Sequence, residues 1–335
     1  MAKVIGQGTL AGVQVLVTGG AGFIGSHLVE ALVEEGAKVR ALVRYSSRGD
    51  LGWLAHSQVR DDIEVVLGDI LDPDVVDRCV AGVSVVFHLA ALIAIPFSYQ
   101  APRLYCDVNI GGTLNLLSAA VKAGVDLFIH TSTSEVYGSA RYVPIDEEHV
   151  LQGQSPYSAS KIGAEKMVES YHLSFGLPTV TLRPFNTFGP RQSLRAIVPT
   201  IIAQAMTSDT IRLGSVVPTR DLNYVSDTVN GFLRAAVTPS AVGGVFNLGR
   251  GEEISIGDLA RQVVEVLGVD ASVTSDQQRL RPGPSEVMRL CADNRRAREE
   301  LAWCPKFTFS EGLKATIDWF RDHHHELGSA SDYSV

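Results

Sequence analysis

Short apolar, β-branched runs alternate with longer stretches of helical periodicity through the first half of the chain. The first run, residues 13–18 (VQVLVT), leads into a glycine cluster and then a helical pattern at 24–35 that Gly36 closes. Residues 38–43, 63–67, 83–89, 127–131 and 179–182 repeat the strand character, with helical patterns between most of them. This alternation predicts an α/β fold, a Rossmann-type doubly wound parallel sheet with helices on both faces. Beyond about Pro184 the rhythm changes. Loops carry more Pro, Gly and Arg, helices shorten, and strand candidates at 211–213 and 245–248 stand apart, which reads as a smaller C-terminal α/β lobe. Ser255 and Asp258 have the spacing of a capping box, and Trp319 and Phe320 finish a last amphipathic helix. The expected division is 1–184 for the Rossmann domain, 185–327 for the second lobe, interleaved with the first, and 328–335 for a disordered tail.

Composition narrows the classes. With 335 residues, 45% of them hydrophobic, the chain can bury a large core. A formal net charge of -8 argues against a general electrostatic grip on nucleic acid, so an anionic ligand has to be held by a few local arginines. Cys79, Cys106, Cys291 and Cys304 lie far apart without Cys-x-x-Cys spacing, which indicates neither a disulfide framework nor a metal site. The N-terminus lacks a charged start followed by an apolar signal core, and the apolar run at 83–97 is interrupted by His88 and ended by Pro96. The expectation is a soluble, cytoplasmic protein with no membrane partner.

Glycines 19, 22 and 25 sit at the junction of the first strand and helix. They permit a tight turn, let the backbone approach a pyrophosphate and seat the helix close to the sheet, with the helix start at Phe23 and Ile24 facing the phosphates. Dinucleotide binding is expected here. About twenty residues on, where an acidic side chain would hold the ribose hydroxyls of NAD, the chain carries Arg44, followed by Ser47 and Arg48. A guanidinium there can pair with the 2'-phosphate of NADP, which is therefore favoured over NAD. The alternative is that Arg44 stacks on adenine or faces solvent. Asp69 and Ile70, then Leu89, Ala90 and Ala91, follow the third and fourth strands where adenine and riboses should rest, and Pro184 ends the sixth.

The segment HTSTSEVYG at 130–138 and the YSASK at 157–161 supply candidate chemistry. Tyr157 and Lys161 lie one helical turn apart, so the ammonium can favour a phenolate that takes a proton from a substrate hydroxyl. Thr133 can hydrogen-bond the same oxygen. Ser134 and Glu135 complete the candidate catalytic set.

As a set, these motifs resemble the extended short-chain dehydrogenase/reductases, and within them the nucleotide-sugar 4,6-dehydratases. The resemblance covers nearly the whole chain, through His88-Leu-Ala-Ala, Arg183-Pro-Phe-Asn186, Arg220-Asp-Leu-Asn-Tyr-Val225 and Arg281-Pro-Gly. It implies a nucleotide-sugar substrate oxidised at C4. Glu135 then removes the C5 proton as the C6 hydroxyl departs, and the hydride is returned to C6. Similar 4-epimerases lack this Glu, and a 5,6-dehydratase would return the hydride to C4. A cofactor-binding sensor without turnover is the non-enzymatic alternative. Ser134 stands where thymidine-diphosphate-glucose dehydratases carry an acidic Asp, which leaves the proton donor open between Glu135 and a water held by Ser134. The resemblance further implies that Arg220 and Arg281 bind the substrate diphosphate and that Asn186 hydrogen-bonds the diphosphate or the sugar; Arg191 and Arg195, near that loop, are extra substrate-binding candidates whose alternative is surface charge. It also implies a homodimer formed through the helix carrying Tyr157 and the one near 111–122. Runs such as RYSSR, TSTSEVYG and PFNTFGPRQS look like the bacterial dehydratases of the legionaminic acid route, which implies GDP-linked N-acetylglucosamine.

Overall fold

A computed structural model of the protein describes residues 8–47 and 49–323. Arg48 and the tail at 328–335 lie outside the described residues. The chain runs β1 (Gln14–Thr18), α1 (Phe23–Glu34), β2 (Lys38–Arg44), β3 (Glu64–Gly68), α2 (Pro73–Val80), β4 (Val85–His88), α3 (Ile95–Gln100) and α4 (Pro102–Tyr105). A π-helical turn at Cys106–Gly112 leads into α5 (Thr113–Ala123), β5 (Leu127–Thr131), α6 (Pro156–Phe175) and β6 (Thr179–Pro184). There follow β7 (Asn186–Phe188), α7 (Ile197–Thr207), β8 (Thr210–Leu213), β9 (Thr219–Arg220), β10 (Leu222–Tyr224), α8 (Val225–Val237) and β11 (Val245–Leu248). The last elements are β12 (Ile254–Ser255), α9 (Ile256–Leu267), β13 (Ser272–Ser275), α10 (Arg295–Leu301) and α11 (Phe309–Asp322).

Seven strands form one parallel sheet in the order β11-β6-β5-β4-β1-β2-β3. Side chains alternate across it, as a period of two requires. Val15, Val17, Val85, Phe87, Leu127, Ile129, Val180 and Leu182 face α1 and α8. Leu16, Val86 and Phe128 face α2, α5 and α6. Both faces are therefore covered, which is why these strands read as continuous apolar runs. The order reverses between β1 and β4, and in such sheets ligands enter the crevice outside the carboxyl ends of the strands at that switch.

One strand departs from expectation. Residues 245–248, read as standing apart, pair in parallel with β6 and form the seventh strand of the main sheet, with Phe246 and Leu248 fully buried. The strand at 211–213 does stay outside, pairing with β13, and the pairs β7–β10 and β9–β12 make two more small ribbons. Ile201, Ile211, Leu259 and Ile317 of this later region belong to the same apolar cluster as β1 and α1, so the core is continuous. Only half of the capping box at 255–258 forms: Ser255 accepts from the Asp258 amide at 3.0 Å, but the carboxylate takes the Ser255 hydroxyl. Among the described residues no helix is long and apolar enough to cross a membrane.

Candidate active site

The glycine turn is built from missing side chains. A Cβ on Gly25 would lie 2.1 Å from the Gly19 carbonyl oxygen, and one on Gly19 would lie 2.9 Å from the Ala90 amide nitrogen. Gly19 also has φ +72°, a conformation that glycine adopts without strain. Gly22 caps α1 without a side chain, and no acidic residue sits in the first turn, so the amides about Phe23 and Ile24 and the positive end of the helix dipole remain for an anion. This cradle fits a dinucleotide pyrophosphate.

Beneath it lies a polar chain. The Thr18 hydroxyl accepts from the amides of Leu89 at 3.2 Å and Ala90 at 3.1 Å, so its proton goes to His88 Nδ1 at 2.8 Å. His88 Nε2–H then donates to Thr113 at 2.9 Å, and Thr113 donates to the Asn109 carbonyl. Burial, reinforced by the Lys161 charge, lowers His88 to about 3, which keeps it neutral in this relay. The effect is to fix the turn at Leu89, Ala90 and Ala91 against Gly19. Asp69 accepts from the Leu71 amide at 2.9 Å, and Ile70 is buried under Gly112. Pro184 is buried at the end of β6. Arg44 and Ser47 are exposed at and after the end of β2, and among the described residues the Arg44 side chain has no ion-pair partner.

Ser155 starts α6 with a complete capping box, its hydroxyl accepting from the Ser158 amide at 3.1 Å while Ser158 returns to the Ser155 amide at 3.0 Å. Pro156 follows at the first helical position. That start places Tyr157, Lys161 and Glu165 on one buried stripe of the helix, four residues apart. Tyr105 meets the Tyr157 ring edge-on, with centroids 6.3 Å apart. Burial pushes the Tyr157 phenol up, a hydrogen bond with Thr133 pulls it down, and the nearby Glu135 and Tyr105 push it up again. Lys161 does not touch the phenol: its ammonium donates to the Thr131 carbonyl at 2.7 Å, and burial lowers it to about 8 against the pull of Glu165. Thr133 caps the short turn Ser134–Tyr137 by accepting from the Glu135 amide at 3.2 Å. Ser134 and Glu135 are both buried.

Arg220 lies within reach of the Glu135 charge. Burial lowers the Arg220 guanidinium, the Glu135 charge opposes this, and Arg281 adds to the lowering. Arg220 bonds the carbonyls of Thr219 and Val287, and it shares the Glu286 carboxylate with Arg281, at 3.4 and 3.6 Å. Arg281 Nη1 and Asn186 Oδ1 are buried without hydrogen-bond partners, as groups awaiting a polar ligand would be. Thr133 and Glu135 thus lie near Tyr157, and Glu135 and Arg281 lie near Arg220. Arg191 makes a two-pronged ion pair with Glu30 of α1, at 2.9 and 3.0 Å, and bonds the Ser26 hydroxyl, so it ties the loop after β7 to α1. Arg195 is exposed, close enough to act on Tyr105.

Sequence reasoning missed Asp221. Fully buried, it accepts the amides of Arg250, Gly251 and Ala292 and thereby holds the loops behind Arg220. Burial raises it to about 6 despite those three donors. Its place directly after Arg220 was the only available signal. Among the described residues no group of His, Cys, Asp or Glu is arranged to hold a metal ion.

The parallel sheet, the glycine turn and the charged groups at its carboxyl ends define an α/β protein with a Rossmann-type nucleotide-binding fold. The GDP-mannose 4,6 dehydratase family profile matches residues 16–316, and the chain belongs to that family. It is 35% identical to a dTDP-glucose 4,6-dehydratase of Streptomyces antibioticus, over 92% of each chain. It is equally 35% identical to a UDP-glucose 4-epimerase of Mycolicibacterium smegmatis, over 92% of this chain and 98% of that one. Among solved structures it is similar to DesIV, a dTDP-glucose 4,6-dehydratase from Streptomyces venezuelae determined with NAD and TYD bound, with TM-score 0.87, 28% identity and coverage of 95% and 100%.

Proposed function

We propose that the protein is an NAD(P)-dependent nucleotide-diphosphate-sugar 4,6-dehydratase, a hydro-lyase that makes a 4-keto-6-deoxy sugar. The observation that supports this is the burial of Glu135 close enough for its carboxylate to act on both the Tyr157 phenol and the Arg220 guanidinium. A phenol that removes the C4 hydroxyl proton and a carboxylate that removes the C5 proton would then work on adjacent carbons. Gly19, Gly22, Phe23, Ile24, Gly25, Asp69, Ile70, Leu89, Ala90, Ala91 and Pro184, with Tyr157 and Lys161, would hold the cofactor, and the exposed Arg44 with Ser47 supports NADP. When bound, the nicotinamide supplies the acceptor and later the donor of the hydride. Thr133 orients the phenol, and burial of Tyr157 and of Glu135 excludes bulk water. Asn186, Arg220 and Arg281, within 185–327, would hold the sugar and its diphosphate. Ser134, buried beside Glu135, would place a water for the departing C6 hydroxyl.

The family profile and the runs shared with the dehydratases of the legionaminic acid route support GDP-N-acetylglucosamine as substrate. Exposed Leu114 and Val121 of α5, and Leu173 and Phe175 of α6, support a homodimer, and four free cysteines support a reducing cytoplasm. The test is incubation with nucleotide hexoses deuterated at C4. Expected are a ketone lighter by one water, deuterium on C6 and no net accumulation of reduced cofactor. A product of unchanged mass would favour the epimerase reading, which the relative from Mycolicibacterium smegmatis keeps open, and deuterium retained at C4 of an alkene product would favour 5,6-elimination.

A further inference from the structure

The segment Thr133 to Glu135 is held by neighbours that the proposed chemistry does not use. Immediately before it, the Ser132 hydroxyl donates to Glu165 Oε2 at 2.6 Å. Immediately after it, the Tyr137 hydroxyl accepts from Arg183 Nη1 at 2.8 Å and donates to Asn247 Oδ1 at 2.6 Å. Glu165 and Arg183 are bonded to each other through both carboxylate oxygens, and each side chain is only 4% exposed. The Arg183 guanidinium also lies 4.9 Å from the centre of the Tyr137 ring. Glu165 belongs to α6, two turns after Tyr157, and Arg183 to β6. One ion pair therefore grips both flanks of the segment that carries Glu135 and fastens it to the helix that carries Tyr157.

We propose that the Glu165–Arg183 pair is a positioning device for the dehydratase reaction, keeping the Glu135 carboxylate in register with the Tyr157 phenol; this rests on the function proposed above. Neither residue touches the reacting atoms. Tyr157 and Lys161 keep their place on α6 without the clamp, because the Ser155 cap and the Lys161 bond to Thr131 hold them independently. Thr133, at the head of the segment, keeps its own hydrogen bond with the Tyr157 phenol, so loosening the clamp displaces chiefly the turn that carries Glu135. The two halves of the reaction then separate: ketone formation persists while elimination slows. A buried ion pair is poor evidence of stability in itself, and a specificity role of this kind is a recognised reason for one to be there.

Ser132→Ala removes the bond on one flank and Tyr137→Phe the two on the other, and both spare the ion pair, so they test the device even where Glu165→Gln does not fold. In either variant the rate of water loss should fall about tenfold, the loss a small misplacement brings, with ketone formation little changed. Enzyme-bound reduced cofactor should accumulate during turnover, visible by its near-ultraviolet absorbance. Hydrogen exchange of the free protein supplies a second readout. The amides of Glu135, Val136 and Gly138, bonded within the turn, should exchange faster than in wild type. Unchanged exchange, or parallel loss of both half-reactions, would overturn the proposal. If wild-type protein removes water from no nucleotide hexose, the dehydratase reading fails, while exchange at the same three amides still reports on the clamp.

Discussion

The glycine turn at 19–25 and the wall made by Glu135, Arg220 and Arg281 are constructed in opposite ways. The turn works by omission: three positions without side chains let backbone approach backbone, and the amides at the start of α1 are left over for a ligand. The wall works by confrontation. Charged side chains from three distant stretches of sequence come together, Glu135 and Arg220 buried and Arg281 half-buried, with Arg220 and Arg281 sharing the Glu286 carboxylate. The first arrangement is fixed before any ligand arrives and tolerates no addition. The second leaves hydrogen-bonding capacity over, since Arg281 Nη1 pairs with Glu286 only at 3.6 Å and makes no hydrogen bond. A backbone cradle suits a cofactor that is the same in every turnover, and a side-chain wall suits a substrate whose charge changes during the reaction.

Four experiments would break or sharpen this contrast. Glu135→Gln attacks the wall at its chemical centre and should slow water loss about 10³-fold, while the ketone still forms, as followed by mass spectrometry and bound-cofactor absorbance. Normal turnover would remove Glu135 from its assigned role. Gly25→Ala attacks the turn: a methyl group 2.1 Å from a backbone oxygen cannot be accommodated by a side-chain shift. Cofactor affinity by calorimetry should fall about a hundredfold, the upper range of overpacking costs, and unaltered affinity would mean that the turn can open. Arg281→Gln should raise the KM for nucleotide sugar about thirtyfold, with cofactor affinity unchanged, and a cofactor defect would show that the two regions are not separate. The smallest effect is that of pH on Lys161. Its folded value is lowered to about 8, so above that the unfolded chain binds a proton the folded one does not. This contribution to stability therefore rises with pH between about 8 and the ordinary lysine range, while the rate of ketone formation falls, about twofold from pH 7 to 8. A rate independent of pH there would remove the ammonium from the first step.

The turn was legible in the sequence and the wall only partly so. Glycines at fixed spacing between an apolar strand and a helical pattern state a local backbone requirement, and Tyr157 with Lys161 state a helical one. The pairing of Arg191 was not legible, because its neighbours in sequence point to the loop after β7 whereas its partner Glu30 lies 161 residues away. The strand at 245–248 was visible as a strand but not as a neighbour of β6, since periodicity carries no information on which edge a strand joins. Glu165, Arg183 and Asp221 were indistinguishable from surface charge until burial showed what they grip.

The late return of residues 245–248 to the outer edge of the sheet has a consequence for anyone dividing this chain. A fragment ending at Pro184 would lose the neighbour of β6 and present a bare row of amides and carbonyls along an apolar strand, an invitation to stick to other copies. The halves are therefore not interchangeable cassettes. Chimaeras with relatives would need to carry the stretch through Leu248 along with the front half, or graft both crossings together.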